Sequence, residues 1–570
     1  MKPRFFLATP VLLGLLGSCG TGTSTSENRE TTSDRRPNLV LIMADDLGYS
    51  DLGCYGGEVQ TPNLDQLAAN GLRFTQFYNT SRCCPTRASL LTGLYNHQAG
   101  IGDMTTETNQ PGYRGHLVES SVTLAEVLQE AGYHTGMVGK WHVANTIVQD
   151  DPEAQLAWLN HQEFHPEFSP LEQYPVNRGF EKYYGNLWGV VDFFDPFSLV
   201  NGTEAVRDVP DDYYHTDAIN DSASAYIRQF SQDDRPFFLY VAHTAPHWPL
   251  QALPEDIARY EDTYTAGWDA IREARYRRLV ELGLIDSTRY PLSPRWKEEL
   301  TWDANPDREW DARAMAVHAA MVDRMDQGLG RMIATLKETG EWDNTLILFL
   351  SDNGASPEDC MRYGPGFDRP GQTRDGEPIA YPVDKRLDAL PGPQTTFASI
   401  GERWANVANT PFRYWKMESY EGGVHTPMIA HWPDGITARK GSITSQVGHV
   451  MDFMATFVEL AQTQYPTTYR NRNITPMAGV SLVPILKGET REGHPVLFNE
   501  HMGGRYVRRG AWKQVALDAT SDWELYRISE DGAETRNLAA QHPDVVQALD
   551  SLWQEWAQTH DVLPKPGARP

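Results

Sequence analysis

The chain predicts an α/β fold: a large, mostly parallel central sheet flanked by helices, then a smaller C-terminal antiparallel sheet plus helix. Three observations carry this. Short continuous apolar runs, not alternating ones, read as strands buried on both faces. Helical stretches separate them, the order that gives parallel crossovers. Beyond about residue 490 the runs shorten and crowd together, with turns between.

Taken in order, Asn38-Leu39-Val40-Leu41-Ile42-Met43-Ala44 is the first buried strand and ends in Asp45-Asp46. Asn63 to Gly71 reads as a helix with Leu64, Leu67 and Ala68 on one stripe. Ala88–Leu91 reads as a helix start, and Val122 to Ala131 is amphipathic. Tyr133 to Val138 follows as a strand ending in Gly139-Lys140-Trp141-His142. Pro236 to Ala242 is the next, ending in His243-Thr244-Ala245-Pro246-His247. Ala312 to Thr339 is a long helix. Thr345 to Leu350 is a fourth buried strand ending in Ser351-Asp352-Asn353-Gly354, and Val424 to His431 a fifth. Residues 145–235 and 255–310, rich in Trp, Tyr and Pro, read as insertions. Val496–Glu500, Arg505–Arg508, Lys513–Leu517 and Glu524–Tyr526 form the small sheet, and Asp544 to Thr559 its helix. Parallel sheets bind ligands outside the carboxyl ends of their strands. Four strands that end in acid, base or metal-binding residues therefore place one site there.

At 570 residues, 40% hydrophobic and 11% aromatic, the chain is globular. A formal charge of -26 argues against nucleic acid or anionic lipid as a partner. An anionic substrate would then need a local basic pocket. Five cysteines are too few for a disulfide framework, so Cys54 and Cys360 read as buried thiols. A bond between Cys83 and Cys84 would be strained.

Lys2 and Arg4 precede an apolar run, Phe5 to Leu16, too short to span a bilayer. Leu16-Gly17-Ser18-Cys19 resembles a bacterial lipobox. That resemblance implies a lipoprotein signal over residues 1–19, a lipid anchor at Cys19 as the one membrane attachment, and, with Gly20 next, the outer membrane. Residues 20–36 read as a flexible tether, 37–490 as the main domain with its insertions, and 491–570 as a small α+β subdomain. Plain secretion is the alternative.

The chemistry centres on Cys83-Cys84-Pro85-Thr86-Arg87. Pro85 is tolerated in a first helical turn, so Cys83 sits near a helix N-terminus, where the dipole favours an anion. Arg87 adds a guanidinium one turn on. Read alone, the pair could equally be small buried residues leading into a core helix. Asp45, Asp46, Asp352 and Asn353 offer hard oxygen ligands from two strand ends, suiting Ca²⁺ or Mg²⁺. Each pair alone also fits a turn or cap.

Cys-x-Pro-x-Arg followed by Leu90-Leu91-Thr92-Gly93 resembles the signature of the type I, formylglycine-dependent sulfatases of the alkaline phosphatase superfamily. Ser81–Arg87 with His97 and Gly100-Ile101-Gly102 is similar to their bacterial arylsulfatase branch. The resemblance spans about residues 37–530. It implies that a cytoplasmic maturase oxidises Cys83 to formylglycine, and that one calcium ion, held by Asp45, Asp46, Asp352 and Asn353, touches position 83. Lys140 and His142 resemble the second catalytic element, His247 (in preference to His243) the leaving-group acid, and Lys416, ahead of Glu421-Gly422-Gly423, the late lysine. His97 and Trp141 read as structural.

The mechanism so implied is attack on sulfur by an aldehyde hydrate at position 83, held by Arg87 and the metal and deprotonated toward Asp352. Lys140 and Lys416 neutralise the sulfuryl oxygens, and His142 helps release sulfate. The implied substrate is a sulfate ester, with a sulfated glycan as the expected natural form. Trp158–Trp188, Phe193-Phe194 and Trp248 either wall an aryl or sugar site or fill the core. Two alternatives stay open: a phosphonate or phosphodiester hydrolase of the same superfamily, whose members typically carry His in place of Asn353, and a sulfated-glycan-binding lipoprotein with an intact Cys83.

Overall fold

The computed structural model describes residues 35–563 and 565. The expected signal segment, the lipobox at Cys19 and most of the tether lie outside the described residues. Strand β1 (Asn38–Ala44) forms because seven consecutive apolar or amide-bearing side chains are buried on both faces. After it come helix α1 (Pro62–Asn70), strand β2 (Leu72–Tyr78), helix α2 (Cys83–Thr92) and helix α3 (Leu124–Glu130). Thr123 and Glu126 cap α3 reciprocally. Then follow β3 (His134–Gly139), β4 (Lys182–Asn186), α4 (His215–Phe230), β5 (Phe237–Ala242), the long α5 (Arg308–Glu338), β6 (Thr345–Ser351), β7 (His425–His431) and α6 (Asp452–Leu460).

The main sheet runs β2-β7-β6-β1-β5-β3-β4, extended by Ser442–Thr444 at one edge and by Leu199–Asn201 and Glu204–Ala205 at the other. β6, β1, β5, β3 and β4 pair in parallel; β7 is antiparallel to both neighbours. One large apolar cluster covers each face. On one face α4 packs against α5, and an added Cβ at Gly328 would lie 2.0 Å from Asn220 Nδ2. The approach is close enough to require glycine there.

Three readings are corrected. β2 was not expected at all, because Arg73, Thr75 and Gln76 break its apolar run. Its register shifts between Phe74 and Phe77, and the Tyr55 hydroxyl fills the gap, 2.8 Å from both Phe74 O and Met428 O. Residues 145–235 are not merely an insertion, since they supply β4 of the sheet and the core helix α4. And the Cys83 helix begins at Cys83 itself, not at Ala88.

The small C-terminal sheet is β8 (Leu497–His501), β9 (Gly504–Arg509), β10 (Trp512–Ala516) and β11 (Glu524–Arg527), antiparallel in that order. Helix α7 (Pro543–Thr559) lies on it, with Trp556 stacked on Phe498 at 5.0 Å. Among the described residues no helix is long and apolar enough to cross a membrane.

Asp452, the first residue of α6, accepts from His449 N, Val480 N, Arg491 Nη2 and His494 Nε2 at 2.6–3.0 Å. Burial opposes its ionisation, but His494 and Arg491 outweigh it and hold the carboxyl down to about 2. Its folded value thus lies below the unfolded one, about 3.9. The stability it contributes is complete above about pH 4 and lost as pH falls toward 2. Asp452→Asn is expected to remove about 2–3 kcal/mol at pH 7 and to flatten the loss below pH 4, read by urea denaturation.

Candidate active site

Every side chain of the site sits at, or just beyond, one end of the sheet. The strand tips are tied to one another: Asp352 N donates to Ala44 O (3.1 Å), His243 N to Met43 O (2.8 Å) and Lys140 N to Ala242 O (2.8 Å). Asp45, Lys140, His247 and Asp352 therefore converge although they are far apart in the chain.

Arg82 is the extended N-cap of α2, Cys83 its first residue, and Gly93, at φ 70°, its left-handed C-cap. Cys83 and Cys84 are both free and buried. Their sulfurs and a His142 ring nitrogen lie within 4.8 Å of one another. Cys84 hydrogen-bonds Cys83 and lowers its thiol well below the ordinary range; burial opposes this, and His142 and Lys140 add to it. Cys84 moves the other way, chiefly through burial. Position 83 is thus where negative charge is tolerated.

Around it the acids and bases interlock. Arg87, fully buried, donates to Asp352 Oδ2 through Nε (3.1 Å) and Nη2 (2.8 Å), and through Nη1 to Lys140 O (2.9 Å). Lys140 Nζ lies 2.5 Å from Asp45 Oδ2. Lys416 Nζ lies 2.9 Å from Asp46 Oδ2, 2.9 Å from Glu358 Oε2 and 3.1 Å from His247 Nε2. Burial, then the neighbouring Asp45 charge, pushes the Asp352 carboxyl well up.

Asn353 Nδ2 donates to Asp46 Oδ1 at 2.7 Å, while Asn353 Oδ1 and Asp45 Oδ1 are buried with no partner. An unpartnered buried oxygen costs about 1–3 kcal/mol. Two of them beside three clustered carboxylates form a hard-oxygen donor set that fits a divalent cation of the calcium type.

His247 lies between two cis peptide bonds, Ala245-Pro246 and Trp248-Pro249. Its Nδ1 is 2.5 Å from Trp248 O, so that nitrogen carries the proton and Nε2 accepts from Lys416. Burial, reinforced by Lys416, pushes His247 down to about 3. On that side His247 Nε2 faces the Lys416 ammonium. Burial works against the Lys416 ammonium, but Asp46 and Glu358 raise it above the usual lysine range.

The structure brings together all the expected residues: Cys83, Arg87, Lys140, His142, His247, Lys416, Asp45, Asp46, Asp352 and Asn353. Asp46, Ser81, His142 and Met417 all hold positive φ, from 52° to 80°. Such backbone is costly for residues with a Cβ and collects at functional sites.

Glu358 was not foreseen. It joins Lys416, Arg82 (3.3 Å) and the Trp248 indole (3.2 Å), yet sits in irregular chain with no motif around it. Trp158 and Trp188 do not wall the site, for they pack together with Phe168 and Phe197 in the core. Of the expected aromatics, Trp248 stands beside the catalytic groups, its ring 4.7 Å from that of His247. His97 is structural, paired with Glu500 at 2.9 Å, and Trp141 is buried with its indole on Gln173 O.

Arg82, Arg87, Lys140 and Lys416 thus meet Asp45, Asp46, Asp352 and Glu358 in one buried cluster. A divalent cation would give it the net positive charge that an anionic substrate needs against a chain of -26.

A family model described as "Sulfatase" matches residues 37–463, and another, "N-sulphoglucosamine sulphohydrolase, C-terminal", matches residues 413–561. The chain is 32% identical over 574 residues to an uncharacterized sulfatase, PB10D8.02c, of Schizosaccharomyces pombe, covering 95% of this chain and 96% of that one. It is 34% identical over 474 residues to an arylsulfatase of Klebsiella aerogenes, covering 80% and 93%. Among solved structures, Ps i-CgsB in complex with k-i-k-neocarrahexaose is similar in fold, with TM-score 0.63, 23% identity, and 93% and 98% of the two chains covered.

Proposed function

As a member of the sulfatase family this chain is a sulfuric ester hydrolase, and we propose that it acts through formylglycine made from Cys83, beside a calcium ion, on sulfated saccharides. The observation that carries this reading is the thiol at the first residue of α2, ringed by the Arg87–Asp352, Lys140–Asp45 and Lys416–Asp46 pairs.

The aldehyde hydrate would supply a nucleophile whose second hydroxyl lets sulfate leave without attack by water. Calcium, held by Asp45, Asp46, Asp352 and Asn353, would supply Lewis-acid charge neutralisation. The side chains do the rest. Arg87 fixes Asp352 and borders position 83. Lys140 and Lys416 face charge that develops on the sulfuryl oxygens. The Lys416–His247 pair delivers a proton to the departing oxygen. His142 takes the proton from position 83 as sulfate is released. The saccharide reading draws support from the hexaose bound to Ps i-CgsB. The lipobox at Cys19 supports export as an outer-membrane lipoprotein.

His142 depends on Gly189: a Cβ there would lie 2.4 Å from its Cε1 and 2.5 Å from its Nε2. Gly189→Ala is therefore expected to lower kcat on the order of 10²-fold with little change in melting temperature, since a displaced catalytic group costs about that much.

The test of the reading is sulfate release, followed by ion chromatography, from 4-nitrophenyl sulfate and a panel of sulfated sugars, run beside a phosphonate monoester and with calcium or manganese. Sulfate release favoured by calcium is expected; preferential phosphonate cleavage with manganese would overturn it. Chelation should also lower the melting temperature, because a ligand bound only by the folded state at 100 times its Kd stabilises by about 2.7 kcal/mol.

A further inference from the structure

Resting on the sulfate-ester reading, we propose that Arg82, His501 and Asp103 form a subsite that reads hydroxyl groups on the saccharide flanking the ester. Arg82 joins the charged cluster through Glu358, and none of the three residues takes part in the chemical steps.

Arg82 precedes the nucleophile position and is 9% exposed. Its Nη2 meets Glu358, while Nε and Nη1 are buried without a partner. His501 ends strand β8 and is 1% exposed, with neither ring nitrogen partnered. β8 docks beside the nucleophile: Asn499 Nδ2 reaches Ser81 Oγ (3.3 Å) and Ser419 Oγ (3.0 Å). Two residues further along a strand, His501 emerges on the same face as Asn499. Asp103 is half-buried, its carbonyl 3.5 Å from Cys84 Sγ, and its Oδ1 is buried and unpartnered. His501 and Asp103 both lie within electrostatic reach of Arg82 and of the Glu500–Lys565 pair, and His501 also of Cys83.

Buried polar groups are almost always paired, so five unpaired atoms around the Arg82–Cys84 segment call for a ligand. Their chemistry selects it. Burial pushes His501 down to about 3, leaving a neutral ring with one donor and one acceptor. Arg82 adds donors and Asp103 an acceptor. A second sulfate or a carboxylate would want donors only and would face Asp103. Sugar hydroxyls donate and accept, and match the whole set.

A site built to hydrogen-bond a hydroxyl rejects analogues lacking it by far more than an apolar pocket can, up to about 10⁴-fold. The test uses the full-length matured enzyme on three probes: 4-nitrophenyl sulfate, the best-cleaved hexose monosulfate of a glucose, galactose and N-acetylglucosamine panel, and that sugar with its hydroxyls methylated. A disulfated form of the same sugar is the fourth arm. Wild type is expected to prefer the free sugar to its methylated form by on the order of 10²-fold or more in kcat/KM.

His501→Phe and Arg82→Met should cut that ratio at least tenfold. His501→Gln, which keeps a donor and an acceptor, should preserve most of it, a contrast that a folding defect would not produce. An unchanged ratio in both apolar variants, or a preference for the disulfated sugar that Arg82→Met abolishes, overturns the subsite while leaving the hydrolase reading intact. No sulfate release from any probe overturns both.

Discussion

Replacing Cys83 with alanine is expected to abolish sulfate release, by at least about 10⁴-fold in kcat, the scale on which loss of a covalent nucleophile acts. The reason is local. Residue 83 is the first of α2, in a neighbourhood of Arg87, Lys140 and His142 that favours an anionic oxygen or sulfur. No other described thiol can substitute: Cys84 sits beside it but is held neutral, while Cys54 and Cys360 are buried and pushed up in pKa. The variant should fold, since only the small polar head of side chain 83 is lost from a site already rich in polar contacts. Sulfate production, measured against wild type at equal folded concentration, checks the result. Residual turnover within about tenfold of wild type would place the nucleophile elsewhere.

The second large effect is structural and catalytic together. Asp352→Ala should lower the unfolding free energy by about 3–5 kcal/mol, because removing one partner of a buried ion pair strands the other. Arg87 has no exposure, and two of its nitrogens depend on Asp352 Oδ2. Its other carboxylate neighbour, Asp45, is 3.5 Å away and already engaged by Lys140 at 2.5 Å. Asp352→Asn keeps one acceptor and should lose roughly half as much by the same argument. Urea denaturation without added cation measures both. Equal midpoints for wild type and Asp352→Ala would show that Arg87 finds another partner.

The strands that position the site were legible because a strand buried on both faces must be apolar throughout, as in Asn38–Ala44, Phe237–Ala242 and Thr345–Ser351. Their polar tips then stand out. Strand Leu72–Tyr78 was hidden because its polar atoms are paired only through tertiary contacts: Arg73 on Cys54 O, Thr75 on Thr444 O, and the Thr75 carbonyl on His425. Helix His215–Phe230 was obscured by its position in a Trp- and Tyr-rich stretch. Lys416 could be found from the glycines after it, whereas Glu358 and His501 could not be found at all. Glu358 acts from a long segment without regular structure, and His501 comes within electrostatic reach of position 83, 418 residues earlier in the chain, through the docking of β8 on Ser81. Such contacts belong to the folded chain, not to any local pattern.

The most direct test is mass spectrometry of the tryptic peptide Cys83–Arg87, which cleavage after Arg82 and Arg87 releases from native, sulfate-releasing enzyme. An aldehyde at residue 83 beside an intact thiol at residue 84, with hydroxylamine labelling confined to the former, is the predicted result. Two intact thiols in fully active enzyme would contradict it.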